Sequence, residues 1–303
     1  MIIGGIPMLF GGAPVTPIAS AGWAIFGYGT DSGFSAISVT TLVSNTGVVS
    51  ADITGVGTAR YNLAAARYST NKAIFGYGAY PQTSITNLVS NTGVVAANVT
   101  GVGTAREALA AAGYSTDKAI FGYGKNTPAV SMTNLVSNTG VVAADVSGVG
   151  TARYSLAAAG YGTDKAIFGY GISAAYLSLT NLVSNTGVVS GDVTGVGTAR
   201  QSLAAARYGT DKAIFGYGFA TSNVSITNLV SNTGVVSANV TGVGSARESP
   251  AAAGYGTDKA IFGPGYFSKV YNLVSNTGVV AADVSSAGNA LLYGAAAASV
   301  GGV

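Results

Sequence analysis

Apolar residues arrive in short bursts along this chain, each ended by a cluster of Gly, Ser, Thr, Asn or Asp. Residues 153–200 show the pattern. RYSLAAAGY (153–161) is an apolar run that stops at Gly162-Thr163-Asp164. KAIFGYG (165–171) alternates Ala166, Phe168 and Tyr170 with Ile167 and Gly169, the period of a strand. A loop leads to LSLTNLV (177–183), and Ser184-Asn185-Thr186-Gly187 has the composition of a tight hairpin before VVSGDV (188–193). The LAAA segments favour helix, but they are only a few residues long and bounded by Gly. The pattern predicts four short antiparallel strands per unit.

The unit repeats. AIFGYG begins at Ala24, Ala73, Ala119, Ala166 and Ala213 and returns as AIFGPG at Ala260, with spacings of 49, 46, 47, 47 and 47 residues. SNTGVV follows in each unit, and GTAR or GSAR ends five of them. Four strands at this period predict an all-β fold, a six-bladed β-propeller. LLYGAAAASVGGV (291–303) occupies the register of RYSLAAAGY, the strand that the first unit lacks before Trp23. It is expected to complete blade one and remove the free edges. The chain then divides into an N-terminal apolar segment, 1–22, and a propeller, 23–303. Met8-Leu9-Phe10-Gly11-Gly12 echoes a second strand, so a partial extra blade is the alternative count.

RYSLAAAGYGTDKAIFGYG, then SLTNLV and VTGVGTAR, resembles a kelch repeat over residues 23–303. GYG stands in place of the glycine doublet, and the fourth-strand Trp is missing. The near-identical KAIFGYG and SNTGVV units are also similar to repeats in phage-encoded structural proteins. That resemblance implies a virion location, as a tail-fibre or capsid appendage. Other virion or assembly proteins would then be partners.

Composition narrows the chemistry. Charged residues are 8% of the chain, against about 25% in an average soluble domain. The chain has neither Cys nor His, so disulfides, Cys-ligated zinc and the commonest general base are all excluded. Glu107 and Glu248 are the only Glu residues and hold equivalent positions in different units, not the paired arrangement glycosidases need. We expect no enzyme activity, no cofactor and no metal. A net charge of +3 without a dense Lys/Arg stripe gives no case for nucleic acid. Residues 1–29 are uncharged, but repeated Gly and Pro interrupt them, against a spanning helix or a cleaved signal.

Two sets of residues are candidates for binding. Arg60, Arg106, Arg153, Arg200 and Arg247 each precede an innermost strand and would ring one mouth of an axial channel, with Leu291 in the sixth place. They could form an anion site; alternatively, and preferred, each guanidinium bonds carbonyls or a loop of the neighbouring blade. The units differ most in the loop after GYG, which carries Phe34, Tyr80, Lys125, Asn126, Tyr176, Phe219, Tyr266 and Phe267. Aromatics among small polar residues suit a recognition surface. The repeated Asp-Lys pairs are read as turn formers, and the AIFGYG aromatics as packing. The variable loops and Arg positions should share one end of the disc, and the invariant turns the other. The function expected is a noncatalytic structural or binding module that contacts a surface glycan, receptor or protein, with 1–22 docking it to an assembly. A cellular kelch-like adaptor, extracellular or cytoplasmic, is the alternative, and an outer-membrane β-barrel the third.

Overall fold

A computed structural model describes residues 22–285 and 293–301 of the chain. The docking segment, the extra-blade echo at Met8–Gly12 and the Leu291 position lie outside these residues, apart from Gly22. Among the described residues the fold is all-β, without helices, and six antiparallel sheets repeat along the chain. Among these residues no helix is long and apolar enough to cross a membrane.

The strands are β1 (Trp23–Gly27), β2 (Thr40–Val43), β3 (Ala64–Tyr68), β4 (Lys72–Gly76), β5 (Thr86–Val89), β6 (Ala110–Tyr114) and β7 (Lys118–Gly122). They continue with β8 (Thr133–Val136), β9 (Ala157–Tyr161), β10 (Lys165–Gly169), β11 (Thr180–Val183), β12 (Ala204–Tyr208) and β13 (Lys212–Gly216). The last are β14 (Thr227–Val230), β15 (Ala252–Tyr255), β16 (Lys259–Phe262), β17 (Val270–Val274), β18 (Val284–Ser285) and β19 (Ala296–Val300). Five sheets have three strands, such as β9-β10-β11, and only β15-β16-β17-β18 has four. The first sheet joins the two ends of the chain: β19 pairs with β1 from Ala296↔Gly27 to Val300↔Trp23.

The fourth strand expected in every unit is largely absent. In residues 188–193 only two isolated bridges form, Val183↔Val189 and Thr180↔Val193. One side advances a residue more than the other between them, a bulge that breaks the ladder. Asn181 on β11 fills the gap, donating from Nδ2 to Ser190 O at 3.0 Å and to Asp192 Oδ1 at 2.9 Å. The second strand also stops earlier than the alternation predicts. Tyr170 sits at φ 63° and Gly171 at φ 100°, so two successive left-handed residues turn the chain away from the sheet.

Packing between sheets repeats as faithfully as the sequence. Phe168, Phe215 and Phe262 press against Gly122, Gly169 and Gly216 of the preceding sheet, where an added Cβ would meet a ring carbon at 2.6–2.7 Å. Phe26 of the first sheet fills the same slot at Gly263 of the last. At the turn end, backbone bonds of 2.6–2.8 Å run from each unit to the next: Ser69 N to Asp117 O, Ser115 N to Asp164 O, Gly162 N to Asp211 O and Gly209 N to Asp258 O. Gly256 N then donates to Gly22 O, and Gly301 N to Asn71 O, returning to the first of these turns. Strands β3, β6, β9, β12, β15 and β19 touch one another in that order, and β19 also touches β3.

Candidate functional site

The five arginines are not at a channel mouth. Arg60, Arg106, Arg153, Arg200 and Arg247 are each fully buried, at 0% exposure. Arg60 lies 4.3 Å over the ring of Tyr28 in one unit. It donates from Nε to Tyr77 O at 2.8 Å and from Nη2 to Asn87 Oδ1 at 2.8 Å in the next, with Nη1 on Thr58 O at 3.0 Å. Arg106, Arg153 and Arg200 make the same bond to Asn134, Asn181 and Asn228. A buried cation must have its donors satisfied, and neighbouring sheets supply the acceptors. Burial lowers the pKa of these guanidinium groups, and burial raises that of the tyrosines beneath them, to about 12 at Tyr123. They rivet sheet to sheet and offer no anion site. In the sixth unit, where Pro264 replaces the tyrosine, Arg247 Nη2 and Asn272 Oδ1 are both left without a hydrogen bond.

The loops after GYG lie at the end where the arginine segments return. Bridges Tyr61↔Ala79, Glu107↔Lys125, Tyr154↔Ile172 and Gln201↔Phe219 tie the residue after each Arg to the loop. Three aromatics of the expected surface are strongly exposed: Phe34 at 50%, Tyr80 at 71% and Phe267 at 76%. Phe34 meets Tyr266 and Phe267 with ring centroids 5.8 Å apart, and Tyr266 lies 4.1 Å from Phe267. Tyr266 also packs on Tyr293 at 5.4 Å, and Tyr293 on Tyr61 at 6.2 Å. Five rings therefore form one contiguous patch where the first and last units meet. Tyr176 and Phe219 form a second pair at 6.1 Å, while Lys125 Nζ stands 5.5 Å over Tyr154. Asn126 is half-buried, with its backbone N–H on Pro128 O at 3.2 Å.

Polar groups border the patch. Glu107 accepts from Asn62 Nδ2 at 3.1 Å and from Gln82 Nε2 at 3.2 Å. Asp31 accepts two backbone N–H groups of its own loop, from Gly33 and Ser35 at 2.9 Å, which shapes the support of Phe34. Burial raises the Glu248 carboxyl above its ordinary value. Burial also raises the Tyr293 hydroxyl, helped by the charges of Glu248 and Glu107 and opposed by its bond with Asn62. Tyr61 and Tyr293 were missed because they lie outside the variable loops in sequence. The signal was present, since both follow the arginine register, where three other units hold Glu107, Gln201 and Glu248.

At the opposite end a cavity of about 340 Å³ opens between the innermost strands. Alternation buries Ala64, Ala66 and Tyr68 of β3 and turns Ala65 and Arg67 toward the cavity; Ala205 and Arg207 of β12 follow suit. These two arginines were also missed, although AAARY replaces AAAGY in just those units. Asp117, Asp164 and Asp211 each pair with the next Lys, Asp211 with Lys212 at 2.9 Å. Asp117 and Asp258 also accept from Asn138 and Asn276 of the SNTG turns, tying turn to turn. Among the described residues no three acidic side chains group as metal ligands would. No protein-family model matches the chain, and no curated protein matches it.

Proposed function

We propose that the chain is a noncatalytic binding module, a closed six-bladed β-propeller that presents its variable-loop end to a surface glycan. The circuit of backbone bonds through Gly22 and Asn71 supports closure, with β19 as the inner strand of the first blade. The bulged segment after each SNTG turn takes the place of a fourth strand. Strands of four or five residues in six separate sheets are far shorter than the ~9–11 residues of a lipid-spanning strand, which favours the propeller over a barrel.

The observation that carries the function is the aromatic patch in which exposed Phe34 and Phe267 stand on half-buried Tyr266, Tyr293 and Tyr61. Large apolar rings are not left in solvent for stability, and a contiguous group marks a contact surface. Aromatic faces stack on the C–H faces of sugar rings, while carboxylates and amides such as Glu107 and Gln82 suit their hydroxyls. The repeat resemblance to phage structural proteins supports a virion appendage as the setting of such a module, with residues 1–22 as the attachment to its partners.

A glycan array probed with the full chain tests this reading. Phe267→Ala should leave the melting temperature within about 2 °C, since the ring is largely exposed, and weaken any glycan signal at least tenfold. Absence of glycan binding, or binding indifferent to both Phe267→Ala and Phe34→Ala, would refute it.

A further inference from the structure

We propose that the axial cavity at the turn end binds a small oxyanion of two or more charges, clamped between Arg67 and Arg207. The inner strands follow one another in the order β3, β6, β9, β12, β15, β19, so β3 and β12 stand three steps apart in a circuit of six. Arg67 and Arg207 hold the same register on them, opposite Ala73 and Ala213 respectively, and therefore face each other across the axis. The other inner strands carry Gly113, Gly160, Gly254 and Ser299 at this level. Nothing longer than Ser crowds the space between the two guanidinium groups.

Neither guanidinium has a hydrogen bond or an ion pair within the described residues. That sets them apart from the five structural arginines, whose donors are nearly all taken. It also sets them apart from Lys118, Lys165 and Lys212 at the same end, which pair with Asp117, Asp164 and Asp211 at 3.5, 3.8 and 2.9 Å. Burial lowers the pKa of Arg67, and the charge of Arg207 lowers it further; burial also lowers Arg207, opposed by the charge of Asp211. The charge of Asp211 offsets part of that on Arg207, but the turn beside Arg67 holds Asn71 instead of Asp, and an anion between the two guanidinium groups removes their repulsion. The bidentate geometry of guanidinium suits phosphate and carboxylate oxygens.

The rest of the lining agrees with a small polar ligand. Thr116, Thr163, Thr210 and Thr257 recur around the mouth, and the walls below are alanine. The volume of about 340 Å³ admits a small molecule and excludes a nucleic-acid duplex. Charge collects here too. The four Asp-Lys turns, Lys72 of the Asn-Lys turn and both channel arginines lie at this end, seven cations against four carboxylates, which accounts for the whole net charge of +3. This site is at the far end from the variable loops and does not depend on what they bind.

Isothermal titration of the full chain with inorganic pyrophosphate, inorganic phosphate and succinate tests the proposal and separates phosphoryl from carboxylate ligands. One-to-one binding of pyrophosphate or succinate is expected. Arg67→Gly and Arg207→Gly install the residue that three equivalent positions already hold, so the fold should survive; Arg67→Gln retains the side-chain length as a second variant. Each single variant should weaken binding at least tenfold and the double variant abolish it. Lys72→Gln removes a charge at the same end but outside the cavity, and should change affinity less than twofold. The proposal is overturned if no probe binds at millimolar concentration, if the arginine variants bind like the parent, or if Lys72→Gln weakens binding as much as they do.

Discussion

Asn181 shows how much one side chain can organise in this fold. Its oxygen accepts from Arg153 Nη2, and its amide reaches Ser190 O and Asp192. The same Asn recurs at positions 87, 134 and 228, so one residue type both satisfies a buried cation and replaces a missing strand. The carboxylates in these networks set the acid limit. For Asp145, burial alone would raise the pKa, but bonds from Thr104 and Asn134 and the Arg106 charge hold it below the ordinary range; Asp192 and Asp283 behave alike. A depressed carboxyl stabilises the fold above the unfolded value and loses that contribution as pH falls through the folded one. Tyr28, Tyr77, Tyr123, Tyr170 and Tyr217 work in the other direction. Burial raises them, so their contribution is present below about pH 10 and lost toward the value of about 12 at Tyr123. With no His in the chain, denaturant midpoints should be nearly flat between about pH 5 and 9 and fall on both sides. The raised carboxyl of Glu248 adds only a small opposing slope. A step near pH 6.5 would contradict this account.

Between neighbouring sheets the repeating contact is a phenylalanine seated on a glycine. At Gly169 an added Cβ would lie 2.7 Å from Phe215 Cζ, and both groups are fixed in strands. Gly169→Ala should therefore destabilise by about 1–3 kcal/mol in urea unfolding. Gly191 is the matched control. Nothing lies within 4 Å of its missing Cβ, and all five other units hold Ala in this register. Gly191→Ala should be neutral or slightly stabilising. Equal losses at the two positions would show that the aromatic slot contributes no specificity. The alternation in AIFGYG revealed these strands, but not which sheet each ring enters. That depends on the angle between sheets, to which local pattern is blind.

For the molecule as a whole, the decisive element is β19. It pairs with β1 and touches both β3 and β15, joining units that are farthest apart in the chain. A chain ending at Ala295 would leave β1 with an unpaired edge and open the circuit of turn-end bonds. Loss of the cooperative thermal transition, with aggregation on size-exclusion chromatography, is expected. A monomer of unchanged melting temperature would show that the six sheets hold together without it. Binding surfaces also belong to this scale. Segments 84–107 and 225–248 are nearly identical and three repeats apart, and in the proposed closed propeller that spacing puts them opposite each other. Arg67 with Arg207 and Glu107 with Glu248 are both such pairs.

Repeat length, the first three strands of a unit and the terminal strand were readable beforehand, because period-2 alternation and a fixed spacing are local properties that the backbone must obey; the fourth strand was expected and largely did not form. Even the preferred role of the five arginines followed from their neighbours in the chain. Whether a side chain ends up inside or in the open was another matter. Five arginines vanished into sheet interfaces, and two others, Arg67 and Arg207, came to face an open cavity. Folding alone brings residues of separate units to one point, and only there do burial and repulsion assign a charge its task.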